Sequence, residues 1–163
     1  MYRLDAINRK LIGGQALDSW LAVTSFRRKT IVFTNGCFDI LHSGHIQYLA
    51  KAAGMGDYLV IGLNTDDSVR RLKGPSRPYQ NQDSRALTLA ALGFVSGVIL
   101  FDEDTPYELI RKIKPHILVK GGDYKPEDIV GYDIVKARGG QVLTIPLVEG
   151  YSSTNVIRKI KGA

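Results

Sequence analysis

Five short apolar runs punctuate this chain: Ile31–Thr34, Tyr58–Leu63, Val98–Phe101, Ile117–Val119 and Val142–Ile145. Each is rich in Val, Ile, Leu or aromatic residues, and none alternates with polar ones. Strands buried on both faces read this way, because a parallel sheet is covered on each side by helices. Helix-length segments lie between the runs. Gly44–Ala53 places Ile46, Leu49, Ala50 and Ala53 at helical spacing. Asp66–Leu72 is a short candidate, and Asp83–Leu92 is rich in Ala and Leu, with Asp83 or Ser84 as its cap. Thr105–Ile113 opens on a cap-like Thr105 with Pro106 at the first helical position. Pro126–Ala137 reads as partly helical, and Ser153–Ile160 closes the chain. Strands alternating with helices predict an α/β fold, Rossmann-like and doubly wound, with about five parallel strands and helices on both faces.

The 163 residues suit one such domain. Two regions are expected: a helical extension over 1–29, with Leu17, Trp20 and Leu21 on one apolar face, and the domain proper over 30–163. The stretch Ala86–Phe101 carries no charge over 16 residues. It is shorter than the roughly 20 residues a membrane span needs, and Gly93, Ser96 and Gly97 interrupt it. The N-terminus lacks the apolar core of a signal peptide. The expectation is a cytoplasmic protein without membrane contact. A single cysteine excludes an intramolecular disulfide and any CxxC site. The net charge of +6 favours an anionic partner. The cations are scattered in pairs rather than gathered into a tail, so nucleic acid is not expected.

In a sheet of this kind, ligands bind beyond the carboxyl ends of the strands. The loops there read Asn35–His45, Asn64–Asp67, Asp102–Thr105, Lys120–Tyr124 and Glu149–Thr154. They are polar and glycine-rich. There is no Walker A loop, no GxGxxG after the first strand and no GxSxG elbow. What stands out is His42-Ser43-Gly44-His45 at the start of the first helix after that strand. Helix N–H groups favour a phosphate there, imidazoles add donors, and Gly44 lets the ligand approach the backbone. The alternative is two surface histidines at a helix cap. A metal site fits less well, because the third histidine, His116, lies at the start of a strand.

The remaining candidates leave alternatives open. Within Tyr151–Asn155, Ser152, Ser153 and Thr154 offer three hydroxyls before the last helix, for a second phosphate or for a plain cap. Lys73 sits in a basic loop, Arg70–Pro78, which either closes over an anion or is simply solvated. Arg85 within its apolar helix faces a ligand or snorkels to the surface. Asp123 after Gly121-Gly122 accepts from ribose hydroxyls or forms a turn. Cys37 ranks as a packing residue ahead of a nucleophile.

The string Thr34–His45 resembles the GxFDxxHxGH signature of the cytidylyltransferase-like nucleotidylyltransferases, and Tyr151–Arg158 resembles their closing phosphate-binding signature. Arg71–Pro78, Phe101–Pro106 and Val119–Tyr124 look like the adenylyltransferases of ADP-heptose synthesis. The resemblance covers about residues 30–160. It implies transfer of an adenylyl group from ATP, accompanied by Mg²⁺, to a sugar 1-phosphate, giving ADP-heptose and pyrophosphate. His42, His45 and Lys73 would act on the phosphates and the transition state. Cys37, Phe38 and Gly44 would contact the nucleotide, Gly121 and Asp123 would lie near the ribose and base, and Ser153 and Thr154 would hold the β- and γ-phosphates. Arg77 and Arg85 would face the sugar phosphate, and no residue is expected to hold a protein-bound metal. Glycerol-phosphate cytidylyltransferases of this family carry an arginine where Leu147 stands, so ATP is expected over CTP. The resemblance further implies a stand-alone homodimer supplied by a separate heptose kinase. The rival readings are a cytidylyltransferase for glycerol 3-phosphate, and a nucleotide-binding regulator that does no chemistry.

Overall fold

The structure, a computed structural model, describes residues 3–146, 156–157 and 162. Five strands form one parallel sheet: β1 (Ile31–Gly36), β2 (Tyr58–Asn64), β3 (Val95–Phe101), β4 (Ile117–Gly121) and β5 (Gln141–Ile145). Their spatial order is β3-β2-β1-β4-β5. The helices are α1 (Arg3–Asn8), α2 (Gly14–Phe26), α3 (Ser43–Ala53), α4 (Asp66–Lys73), α5 (Gln82–Ala90), α6 (Tyr107–Ile113) and α7 (Tyr132–Ala137), with a 3-10 turn at Pro126–Asp128.

Alternate residues of each strand feed two separate cores, as a period of two requires. On one face Val32, Leu59, Ile61, Leu63 and Val119 pack with Tyr48 and Leu49 of α3 and Ala86 and Leu89 of α5. On the other, Ile31, Phe33, Val60, Ile99 and Leu118 pack with Leu17 of α2, Leu109 and Ile110 of α6 and Val135 of α7. Gly62 makes room for this second core, since a Cβ there would lie 2.8 Å from the Phe33 ring. The doubly wound α/β fold expected from the apolar runs is the one observed.

Two helix starts differ from the expected ones because the cap is a different residue. Helix α5 begins at Gln82, because the Asn81 side chain accepts from Ser84 N at 2.9 Å. Helix α6 begins at Tyr107, with Pro106 in the capping position and its carbonyl accepting from Ile110 N. Of the expected closing helix Ser153–Ile160, only residues 156 and 157 are described, and both are helical.

Residues 3–29 are part of the same packing. Trp20 and Leu21 pack beside Leu17 on the second core. Between α1 and α2 the chain runs along the free edge of β3, where Ile12 N donates to Val98 O at 2.9 Å and Val98 N to Lys10 O at 2.8 Å.

The order reverses at β1, which is flanked by β2 and β4. Strand β1 pairs with β2 along all six residues, Ile31 to Gly36. With β4 it pairs only through Val32 and Phe33, opposite Ile117 and Leu118. The carboxyl ends of β1 and β4 therefore part, and a crevice opens at the switch in strand order, where open α/β sheets bind their ligands.

Candidate active site

The crevice is shaped by the turn that leaves β1. Phe38 holds a left-handed backbone, φ 44°, unusual for a bulky side chain. Its ring folds back over Gly36, where a Cβ would meet it at 3.0 Å, so the turn requires glycine at that point. The same ring is buried and meets the edge of His45 at a centroid distance of 5.4 Å.

His42 occupies the capping position of α3 and makes no side-chain cap bond. The first N–H groups of α3 are thus left to a ligand, and Gly44 is buried within that first turn. The rings of His42 and His45 stack at 3.8 Å. Burial, then the charge of His42, then that of Lys73 push His45 down to about 4, and burial lowers His42 as well. Both imidazoles are consequently neutral at pH 7. The Ile40 backbone acts in the opposite direction on His45, through a hydrogen bond that raises its pKa. Lys73, exposed at the end of α4, is near enough for its charge to act on His45. The structure thus brings together Phe38, His42, Gly44, His45 and Lys73.

Two links bridge the parted strands. Tyr48 of α3 shares a hydrogen bond with Thr34 Oγ1 at 2.5 Å and donates to the Val119 carbonyl at 3.2 Å. Burial pushes the Tyr48 phenol up to about 12, so it remains a neutral donor. Lys120 Nζ donates to Asn35 Oδ1 at 3.4 Å, and burial lowers its pKa. Lys120 is thus a half-buried amine at the mouth of the crevice, a residue that sequence reasoning did not single out. Its signals were its place just after the fourth apolar run, at the head of the Lys120–Tyr124 loop, and its membership of the Val119–Tyr124 string. Beyond it, Gly121 ends β4, Gly122 takes φ 116° while donating to Ile145 O, and Asp123 is exposed at the rim.

Arg77 and Arg85, expected to face a sugar phosphate, are placed on protein partners instead. Asp39 is 3% exposed, and it accepts from Arg77 Nη1 at 2.6 Å, Tyr79 N at 2.8 Å and Gln80 N at 3.0 Å. A buried carboxylate needs such compensation, and Arg77 supplies the charge. Arg85 is 1% exposed. Its guanidinium donates to the carbonyls of Gln80, Cys37 and Asn64 and to Asp66 Oδ1 at 2.7 Å. Four of its five N–H groups are thereby taken. It is neither a ligand-facing nor a snorkelling residue: it ties the ends of β1 and β2 to the 77–81 loop. Cys37 is half-buried, with its Sγ 3.9 Å from Asn64 Oδ1. Ser153 and Thr154 lie outside the described residues. His116 sits at the opposite end of the sheet, its Nδ1 accepting from Ile31 N at 3.1 Å.

A parallel sheet with this order, and a histidine pair at the helix that leaves β1, define a nucleotide-binding α/β domain. The family model for cytidylyltransferase-like proteins matches residues 33–159, and the chain belongs to that family. It is 57% identical to the bifunctional protein HldE of Syntrophotalea carbinolica over 146 residues, 90% of this chain and 30% of that protein. It is 59% identical to HldE of Campylobacter concisus over 136 residues, 83% of this chain and 28% of that protein. The chain thus spans about 30% of the length of these curated relatives. Among solved structures, a lipopolysaccharide core biosynthesis protein from Thermoplasma volcanium superposes with a TM-score of 0.61 at 30% identity, covering 76% of this chain and 99% of that one. The pantoate-beta-alanine ligase of Francisella tularensis shares the fold, with a TM-score of 0.55 at 15% identity, over 89% of this chain and 75% of that one.

Proposed function

We propose that this domain is an adenylyltransferase that joins ATP to a heptose 1-phosphate, releasing pyrophosphate and forming ADP-heptose. The observation that carries the chemistry is the neutral, stacked His42–His45 pair at the open amino end of α3, in the crevice between β1 and β4. The relatives named HldE, together with the resemblance of Arg71–Pro78, Phe101–Pro106 and Val119–Tyr124 to ADP-heptose-forming enzymes, support the choice of acceptor.

A sugar 1-phosphate is already ionised at pH 7, so its oxygen attacks the α-phosphorus without a general base. The new bond joins that oxygen to the α-phosphorus, and the bond to the β-phosphate oxygen breaks as pyrophosphate leaves. The protein supplies position and donors for the developing charge. The α3 N–H groups and the two imidazoles take the phosphates, and Lys73 approaches from the end of α4. Lys120, Gly121 and Asp123 line the nucleotide side, and Cys37 and Phe38 contribute backbone. Ser153 and Thr154 serve the terminal phosphates. Arg77 and Arg85 act as positioning residues for the loops around the sugar phosphate. Among the described residues no group of three His, Cys, Asp or Glu side chains gathers to hold a metal. In this reading Mg²⁺ would accompany the ATP phosphates, keeping most of its waters and offsetting their charge.

No helix among the described residues is long and apolar enough to cross a membrane. A cytoplasmic homodimer, fed by a kinase that makes the sugar 1-phosphate, completes the reading. The test is pyrophosphate release with ATP or CTP against heptose 1-phosphate or glycerol 3-phosphate. The highest kcat/KM is expected for ATP with heptose 1-phosphate. CTP with glycerol 3-phosphate as the best pair would overturn the heptose assignment, and no release with any pair would favour a regulator.

A further inference from the structure

At the amino ends of β1 and β4, on the far side of the sheet from the histidines, lies a cleft of about 400 Å³. Along β1 alone the separation is about 17 Å or more, five steps of roughly 3.3 Å from Ile31 to Gly36. Arg28, Lys29, Lys112, Lys114, Arg138 and His116 line it, and no carboxylate does. Lys29 is paired with Asp57 at 2.9 Å and Lys112 with Asp18 at 3.0 Å. Arg28, Lys114 and Arg138 have no carboxylate partner among the described residues.

The plainest account of these three cations is that they cap helices. Helices α2, α6 and α7 all end at this cleft, and a helix carboxyl end favours positive charge. Each end offsets only about half a charge, which leaves roughly one and a half positive charges uncompensated. Backbone geometry sharpens the contrast. A chain leaving a helix favours glycine at a left-handed position. After α7 that position is Gly139, φ 73°. After α2 and α6 the left-handed residues are Arg28 and Lys114, each at φ 52°. Cations thus stand at two positions where capping alone favours glycine. Strained residues of this kind gather at binding sites.

His116 adds a donor. Its Nδ1 accepts from Ile31 N, which leaves the proton on Nε2. Leu21 supplies an apolar wall.

We infer that this cleft binds a phosphomonoester, a ligand with one phosphate group and a small organic body, at a site separate from the one that carries the adenylyl transfer. A phosphomonoester carries about −1.5 to −2 charges at pH 7, which matches the uncompensated charge of the cleft. Three cationic side chains and an imidazole N–H suit its oxygens, and the body lies against Leu21.

The probe is phenyl phosphate, titrated into the full-length ¹⁵N-labelled protein at ionic strength held constant with sodium chloride. The amides of Lys29, Lys114 and His116 are expected to shift along a saturating curve. In the double variant Arg28→Gly/Lys114→Gly the affinity read at the Lys29 and His116 amides falls about tenfold or more, the loss of two charge-assisted contacts. In Arg138→Gln, which leaves both left-handed positions untouched, it falls about threefold or more. In both variants Ser43–His45, at the other end of the sheet, keep the parent's response. Shifts at Lys29, Lys114 and His116 that stay linear, or that titrate alike in parent and variants, overturn the inference. Loss of the Ser43–His45 response alone would count against the transferase site and not against this one.

Discussion

The imidazoles of His42 and His45 lie face to face, with centroids 3.8 Å apart and planes inclined by 25°. Two rings so close cannot both be charged without mutual repulsion, and burial disfavours even one charge. A phosphate entering between the rings and the start of α3 would reverse that balance. The pair is therefore a neutral site poised to receive negative charge.

The first prediction concerns turnover. His45→Ala is expected to lower kcat by about 10²–10³, as loss of one transition-state donor does. The melting temperature should stay near that of the parent. Pyrophosphate release and thermal melting measure the two, and near-parental kcat would remove His45 from the chemistry.

A second prediction follows from protonation. His45 falls from an ordinary 6.5 to about 4 in the folded protein, mainly through burial. Between those values the unfolded chain binds a proton that the folded chain refuses, so stability rises with pH across this window. It is fully present above about 6.5 and drains away as pH falls toward 4. Urea unfolding from pH 7 to pH 4 should show a shallower loss of stability in His45→Gln than in the parent.

Much of this was legible beforehand, and the division has a physical basis. Apolar runs and the spacing of His42 and His45 are local signals, so the five strands and the helix that begins at the histidines could be read from neighbours in sequence. Arg85 could not be placed, because its acceptors lie on Cys37 and Asn64, 48 and 21 residues away. Asp39 and Arg77 are 38 residues apart and meet only after β1 and β2 are paired. Lys120 looks like any lysine at a strand end until the neighbouring strand parts from it.

Arg85→Lys is expected to destabilise the fold by about 2 kcal/mol or more, because an ammonium cannot reproduce a planar fork spread over three carbonyls and a carboxylate. The 77–81 loop should loosen with it, raising KM for the acceptor more than it lowers kcat. Denaturant unfolding and steady-state kinetics on the same preparation check both. Unchanged stability would mean the four bonds contribute little.

Lys120→Met tests the half-buried amine. Removing a charge whose burial is unfavourable should leave stability equal to the parent's or higher. KM for ATP should rise about tenfold, the value of one charge-assisted hydrogen bond. A variant with lower stability and normal KM would assign Lys120 to the scaffold.

Residues 10–12 lie along the outer edge of β3. Without them, the unpaired amides and carbonyls of that strand would face solvent beside Leu100, which is already 39% exposed. Open edges of this kind recruit other chains. Trimming residues 3–12, which carry none of the proposed chemistry, would thus leave the histidines in place and yet turn a dispersed protein into one that self-associates and comes out of solution.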